Sequence, residues 1–139
     1  MKYDLQRFHK AQQIDYPIAL EEIRNGQKES HWMWYIFPQL KELGYSSTAK
    51  FYGLTKDEAK AYINDEVLKS RLIEISNVLL ELKSNDATEI FGYPDDLKLK
   101  SCMTLFSEIA PEIEVFDNVL EKFFSGKKDN KTVDLLKSY

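Results

Sequence analysis

Two segments of the chain concentrate side chains able to do chemistry. The first, Lys28-Glu29-Ser30-His31-Trp32-Met33-Trp34-Tyr35-Ile36-Phe37-Pro38-Gln39-Leu40, holds both tryptophans and one of the two histidines within four residues. His31 could serve as a general acid or base near neutral pH, as the histidine side chain generally can, while Trp34 could stack on a base or sugar. The same residues have a plainer use, as a histidine bonded to backbone with Trp32 and Trp34 in a core. Written as a helix, the segment sets His31, Trp34 and Tyr35 on one side and Trp32 with Ile36 on another, until Pro38 stops it. Residues His31 to Phe37 also admit a short strand.

The second segment is Phe91-Gly92-Tyr93-Pro94-Asp95-Asp96-Leu97-Lys98-Leu99-Lys100-Ser101-Cys102-Met103-Thr104-Leu105-Phe106. Its Gly/Pro turn delivers two adjacent carboxylates to a helix start. Asp95 and Asp96 could supply a general base or hold ligand hydroxyls, and Lys98, Lys100 and Arg71 could receive phosphate. Equally, acidic residues at a helix start cap it and suit its dipole, and the lysines can be solvated surface. Ser101 and Thr104 lie one turn apart, where they could line a pocket or bond the preceding turn. Gln39 could satisfy a loop backbone or read a ligand amide. Both segments set polar groups against aromatic or turn residues with no evident gain to packing. The expectation is that His31, Trp34, Gln39, Asp95, Asp96, Lys98 and Ser101 meet in one partly exposed cleft.

Through Ser-His-Trp-Met-Trp-Tyr-Ile-Phe-Pro-Gln and Pro-Asp-Asp-Leu-Lys-Leu-Lys-Ser-Cys-Met-Thr-Leu-Phe, the chain resembles the domain-of-unknown-function family 1810. The similarity runs from Phe8, Ala11 and Gln12 through Phe106. It implies a compact all-helical domain and carries over no activity.

Several enzyme classes lack their signatures. The chain has no P-loop, no dinucleotide glycine fingerprint and no Gly-x-Ser-x-Gly elbow. His9, His31 and Cys102 are too few and too badly spaced for zinc, so neither a metal nor another cofactor is expected. Cys102, among Leu99, Met103 and Phe106, reads as a packed and inert thiol, because reactivity needs exposure and a positive neighbour.

Helices must position these residues. The spacing of Leu68, Leu72, Ile75, Leu79 and Leu82 predicts a helix from about Asp65 to Lys83, and Ile113, Phe116, Val119, Leu120 and Phe123 predict another ending near Gly126. Thr55-Lys56-Asp57-Glu58 reads as a capping box opening a helix through Ile63. Further helices are expected over Asp4 to Gln13, Tyr16 to Asn25 with Asp15 as its cap, Ser47 to Tyr52, and Thr132 to Tyr139. Asp86 should cap a turn to Phe91, and Asp95 or Asp96 should start the helix of the second segment. The reading is an all-α bundle of about seven to eight helices in one domain spanning residues 1–139.

At 43% hydrophobic and 13% aromatic, the chain has apolar area for a core. Its 19 basic against 23 acidic residues argue against nonspecific nucleic-acid binding, which needs a concentrated cationic face, and leave room only for a local basic patch. One cysteine, a charged N-terminal stretch and no apolar run near the length of a membrane span lead to the cytoplasm as the expected compartment, with no membrane partner. Oligomeric state leaves no trace in the sequence. Three functions remain open. The first is binding or hydrolysis of a small phosphorylated, nucleotide-like or ADP-ribose-like ligand, with His31, Asp95 and Asp96 in proton transfer and Trp34, Gln39, Lys98, Ser101, Thr104 and Arg71 holding the ligand. The alternative is a protein-protein interaction module with no catalysis. A nucleic-acid reading, ranked last, needs Lys98, Lys100 and Arg71 on one face.

Overall fold

The computed structural model describes residues 4–138. Its elements are α1 (Gln6–Arg24), α2 (Met33–Ile36), a 3-10 turn (Lys41–Leu43), α3 (Ser47–Tyr52), α4 (Lys56–Asn64), α5 (Glu66–Glu81), α6 (Ala87–Phe91), α7 (Asp95–Ile109), α8 (Val115–Phe124) and α9 (Asn130–Lys137). The all-α reading holds, with nine α-helices among the described residues rather than seven or eight. The only extended pairing there is an isolated parallel bridge between Leu40 and Leu54. No helix among the described residues is long and apolar enough to cross a membrane.

Periodicity explains the central helices. Leu68, Leu72, Ile75 and Leu79 are buried along α5, which packs against α1, α4 and α8. Leu82 is the C-cap of α5 and half-buried. On α8, Phe116, Val119, Leu120 and Phe123 are buried, whereas Ile113 precedes the helix and is half-buried. α7 lies between α4, α6, α8 and α9 and buries nine of its residues, Cys102 among them. A ladder of rings crosses the core from α1 to α8. Phe8 meets Tyr62 at 5.1 Å, Tyr62 meets Phe106 at 5.5 Å and Phe106 meets Phe116 at 5.8 Å between centroids. Offset and edge-on pairs of this kind add specific geometry to the area they bury.

The capping box forms as read. Thr55 Oγ1 accepts from the Glu58 amide at 3.1 Å, and Glu58 Oε1 accepts from the Thr55 amide at 3.0 Å. Thr55→Ala should therefore lower stability by about 1 kcal/mol, the usual loss at such a cap. A denaturation midpoint equal to that of the wild type would show that the box adds nothing. Asp65 and Asp86 cap α5 and α6 without a reciprocal partner, each accepting from two amides of the first turn.

Three expectations are corrected. The predicted break near Asp15 is absent, and α1 runs unbroken through Pro17. Proline removes the amide that would bond the Gln13 carbonyl, but Pro17 and Gln13 are both exposed, so water can take that carbonyl. Asp15 accepts instead from the Tyr35 hydroxyl, and Ile18 on the same helix is 45% exposed. Residues 31–37 form neither a strand nor a long helix; only α2, one turn, is helical. The terminal helix starts earlier than expected, at Asn130, because Asp129 caps it. Tyr139, the expected end of that helix, lies outside the described residues.

Candidate ligand cleft

Glu22 on α1 fixes the start of the tryptophan segment. Its Oε1 accepts from the amides of Glu29 and Ser30 at 2.8 and 2.9 Å and from the Trp32 indole at 2.8 Å, and its Oε2 accepts from the Ser30 hydroxyl at 2.5 Å. Burial alone would raise the pKa of this carboxyl; the Ser30 hydroxyl, the two amides and the indole overcome it and hold the pKa at about 2. Trp32 is fully buried against Phe37 and Phe91. With Trp32 pinned, the single turn of α2 leaves Trp34 half-buried on the other side.

The segment after α2 builds one wall. The Lys41 amide donates to the Leu54 carbonyl at 2.9 Å and the Leu54 amide donates to the Gln39 carbonyl at 3.0 Å. Two glycines permit this approach. A Cβ on Gly44 would stand 2.6 Å from the Ala49 Cβ, and one on Gly53 would stand 2.5 Å from the Lys41 Cα. Arg7 of α1 secures the same region, with its Nε donating to the Phe51 carbonyl at 2.8 Å and its guanidinium 3.3 Å from Glu58.

The facing wall is the first half of α7. Asp96 is buried there and accepts from the Thr88 hydroxyl at 2.6 Å, which ties α6 to α7. Asp95 instead spreads its two oxygens between two lysines, Lys28 Nζ at 2.9 Å and Lys98 Nζ at 3.3 Å. The Lys98 ammonium also lies 5.2 Å from the Trp34 ring centroid, within cation-π range. The start of α9 closes one end, where the Asp129 amide donates to Thr104 Oγ1 at 2.9 Å and Asp129 Oδ2 accepts from the Thr132 amide at 3.0 Å.

Between these walls lies a cleft of about 490 Å³ lined by Trp34, Gln39, Lys98, Ser101, Asp129 and Lys131, with Leu43, Tyr45, Ser46, Ala49 and Leu97. That size suits a small organic ligand. The lining pairs two aromatic side chains and further apolar ones with two ammonium groups, one carboxylate and several neutral polar groups.

Four of the residues expected to converge do so, from segments more than fifty positions apart: Trp34, Gln39, Lys98 and Ser101. His31 is exposed and does not line the cleft, because Trp32, turned inward onto Glu22, sets the residue before it outward. Asp95 sits behind Lys98 as its partner, and Asp96 serves the α6–α7 junction. Thr104 is buried, bonding the Lys100 carbonyl at 2.7 Å as well as the Asp129 amide. Arg71 packs against α1, donating to Gln12 Oε1 at 3.3 Å and lying 5.5 Å from the Tyr16 ring centroid, so it does not join Lys98. Lys100 lies over Phe124. Residues 43–49, Asp129 and Lys131 were missed by the sequence reading. Gly44 and Gly53, bracketing a short helix, were the available signal for the first group.

Residues 2–136 match the family described as Protein of unknown function (DUF1810). The chain belongs to this family. The crystal structure of the conserved hypothetical protein Rv1873 from Mycobacterium tuberculosis is similar, with a TM-score of 0.94 at 42% identity over 97% of each chain. A comparison with curated proteins gives no match. The DUF1810 match covers both tryptophan and Asp-Asp segments, and so both long walls of the cleft.

Proposed function

We propose that the protein binds a small anionic ligand carrying a flat ring, of the nucleotide or ADP-ribose-like class, in the cleft between the tryptophan segment and α7. The observation that carries this reading is the convergence of Trp34, Gln39, Lys98 and Ser101 on one cavity. Trp34 offers a face for a ring, Lys98 and Lys131 attract an anionic group, and Ser46, Ser101, Gln39 and Asp129 suit hydroxyls between them. Binding fits these residues better than hydrolysis. The lining contains no histidine or cysteine, and its one carboxylate, Asp129, is engaged in capping α9. A cytoplasmic setting, where such ligands are abundant and a lone cysteine stays reduced, accords with this role.

The rim supports a second reading. Tyr45 is 82% exposed and Leu97 47%, and an apolar rim of this kind also suits a docked peptide. A thermal-shift series with AMP, ADP-ribose, ribose 5-phosphate and adenosine distinguishes the two. Saturation at a hundredfold over Kd stabilises by about 2.7 kcal/mol, which raises Tm by several degrees. Trp34→Ala should abolish that rise. If none of the four compounds moves Tm, the small-ligand reading fails and the peptide reading takes its place.

A further inference from the structure

We infer that Lys28, which does not line the cleft, makes the α7 wall of the cleft cationic and so selects an anionic ligand. This rests on the cleft being the ligand site, and it concerns how that site discriminates.

Lys28, Asp95 and Lys98 form a chain of charges linking the two motif segments. Each oxygen of Asp95 takes one ammonium, Lys28 at 2.9 Å and Lys98 at 3.3 Å. Each ammonium also rests on one tryptophan, Lys28 at 5.2 Å from the Trp32 ring and Lys98 at 5.2 Å from the Trp34 ring. Their exposures differ. The Lys28 side chain is 8% exposed and the Lys98 side chain 25%, and it is Lys98 that lines the cleft.

The charge count follows directly. Asp95 with Lys98 alone would be neutral, and the ammonium would reach the cleft already matched. With Lys28 on the other carboxylate oxygen, the three groups carry a net charge of one positive, and the member nearest the ligand is Lys98. A charge held in a poorly solvated place is screened less than one on the open surface, so Lys28 acts on the cleft across Asp95. Lys28 is thus a positioning residue. It touches no ligand, and it leaves Lys98 with charge to offer.

The test reads the cleft potential without needing a ligand. Trp32 is fully buried, so collisional quenching of tryptophan fluorescence reports Trp34. In the wild type, iodide should quench more strongly than caesium, each normalised to neutral acrylamide. Lys28→Met and Lys28→Gln should lower the iodide-to-caesium ratio by about twofold, the size a unit charge produces at this range in salt, and Lys28→Arg should keep it. Should Lys28→Met fail to fold, Lys28→Gln, which retains a donor for Asp95, carries the measurement. An unchanged ratio in the folded neutral variant overturns the inference, because the charge of Lys28 would then not reach Trp34. Calorimetry with AMP and adenosine gives a second arm. The preference for AMP should fall by a similar factor in Lys28→Gln while adenosine affinity stays within twofold, and an unaltered preference overturns the inference as well. If the wild type binds neither compound, the ligand-site reading fails, and the quenching ratio still decides what Lys28 does to the cleft.

Discussion

Glu22→Ala is expected to lower the stability of the protein by about 4 kcal/mol, because it strands buried donors rather than merely deleting a contact. Two backbone amides and the Trp32 indole lose their acceptor at once, along with the Ser30 hydroxyl. A single orphaned buried donor costs about 1–3 kcal/mol, and those of Glu29 and Ser30 sit near enough to the surface for water to relieve part of the loss. Near-UV circular dichroism should lose signal from Trp32, and urea denaturation should read the free energy. A loss below about 1 kcal/mol would mean that the carboxylate is not what holds the tryptophan segment.

The same carboxylate predicts a pH signature. Its pKa is depressed from 4.5 to about 2 on folding, so the native state binds fewer protons than the unfolded chain across that interval. A depressed carboxylate contributes stability that is fully present above the unfolded pKa and is lost as pH falls through the folded one. The shift corresponds to about 3 kcal/mol at neutral pH. Glu22→Gln keeps an acceptor for the amides and indole but has no such charge. The stability gap between wild type and Glu22→Gln should therefore close as pH drops from 4.5 toward 2. A gap that stays constant over that window would assign the effect to packing instead.

Gly53→Val should destabilise by more than about 3 kcal/mol and disorganise the cleft with it. The backbone dihedrals at Gly53, φ −65° and ψ 145°, suit any residue, so strain in the chain is not the reason. Space is. A Cβ would lie 2.5 Å from the Lys41 Cα, 2.9 Å from the Lys41 Cβ and 3.1 Å from the Ala49 carbonyl, two of which are backbone atoms that cannot swing aside. To admit the side chain, the Lys41–Leu54 contact must open, carrying Leu43 to Ala49 away from α7. Gly26→Ala is the control. Gly26 has a φ of +78° with nothing within 4 Å of an added Cβ, so its cost is only the strain of a left-handed residue, about 1 kcal/mol. Equal losses at the two positions in chemical denaturation would refute the close-approach argument, and unaltered ligand-induced Tm shifts in Gly53→Val would detach the wall from the site.

What could be read in advance divides along physical lines. Elements whose cause is local are legible: the α5 stripe, the Thr55 box and the cap at Asp86 each depend on residues within a few positions of one another. α1 reads as two helices because Asp15 suits a cap, and the helix runs on through Pro17 because that residue lies on the solvent face. Side-chain destination was harder. Trp34 and Lys98 were legible as candidates by residue type, yet His31 next to them points outward because of Glu22, a residue on another helix. Arg71 went to α1 through Gln12 and Tyr16, partners no spacing rule links to it. Lys28 opens the tryptophan segment yet has no role legible by type, since a lone lysine before a glutamate looks like solvated surface until Asp95 is seen beside it.

The sealing of Cys102 on α7 has a practical consequence. It is the only cysteine, it has no exposed surface, and burial raises its thiol pKa well above the ordinary value. A thiol in that state cannot react with a water-soluble reagent until the helices around it part. Its alkylation rate is therefore a clock for the opening of the core. With fast reagent and excess concentration the rate approaches the unfolding rate, and with slow reagent it follows the equilibrium fraction open. One native atom, with no label introduced, can time how often the bundle comes apart.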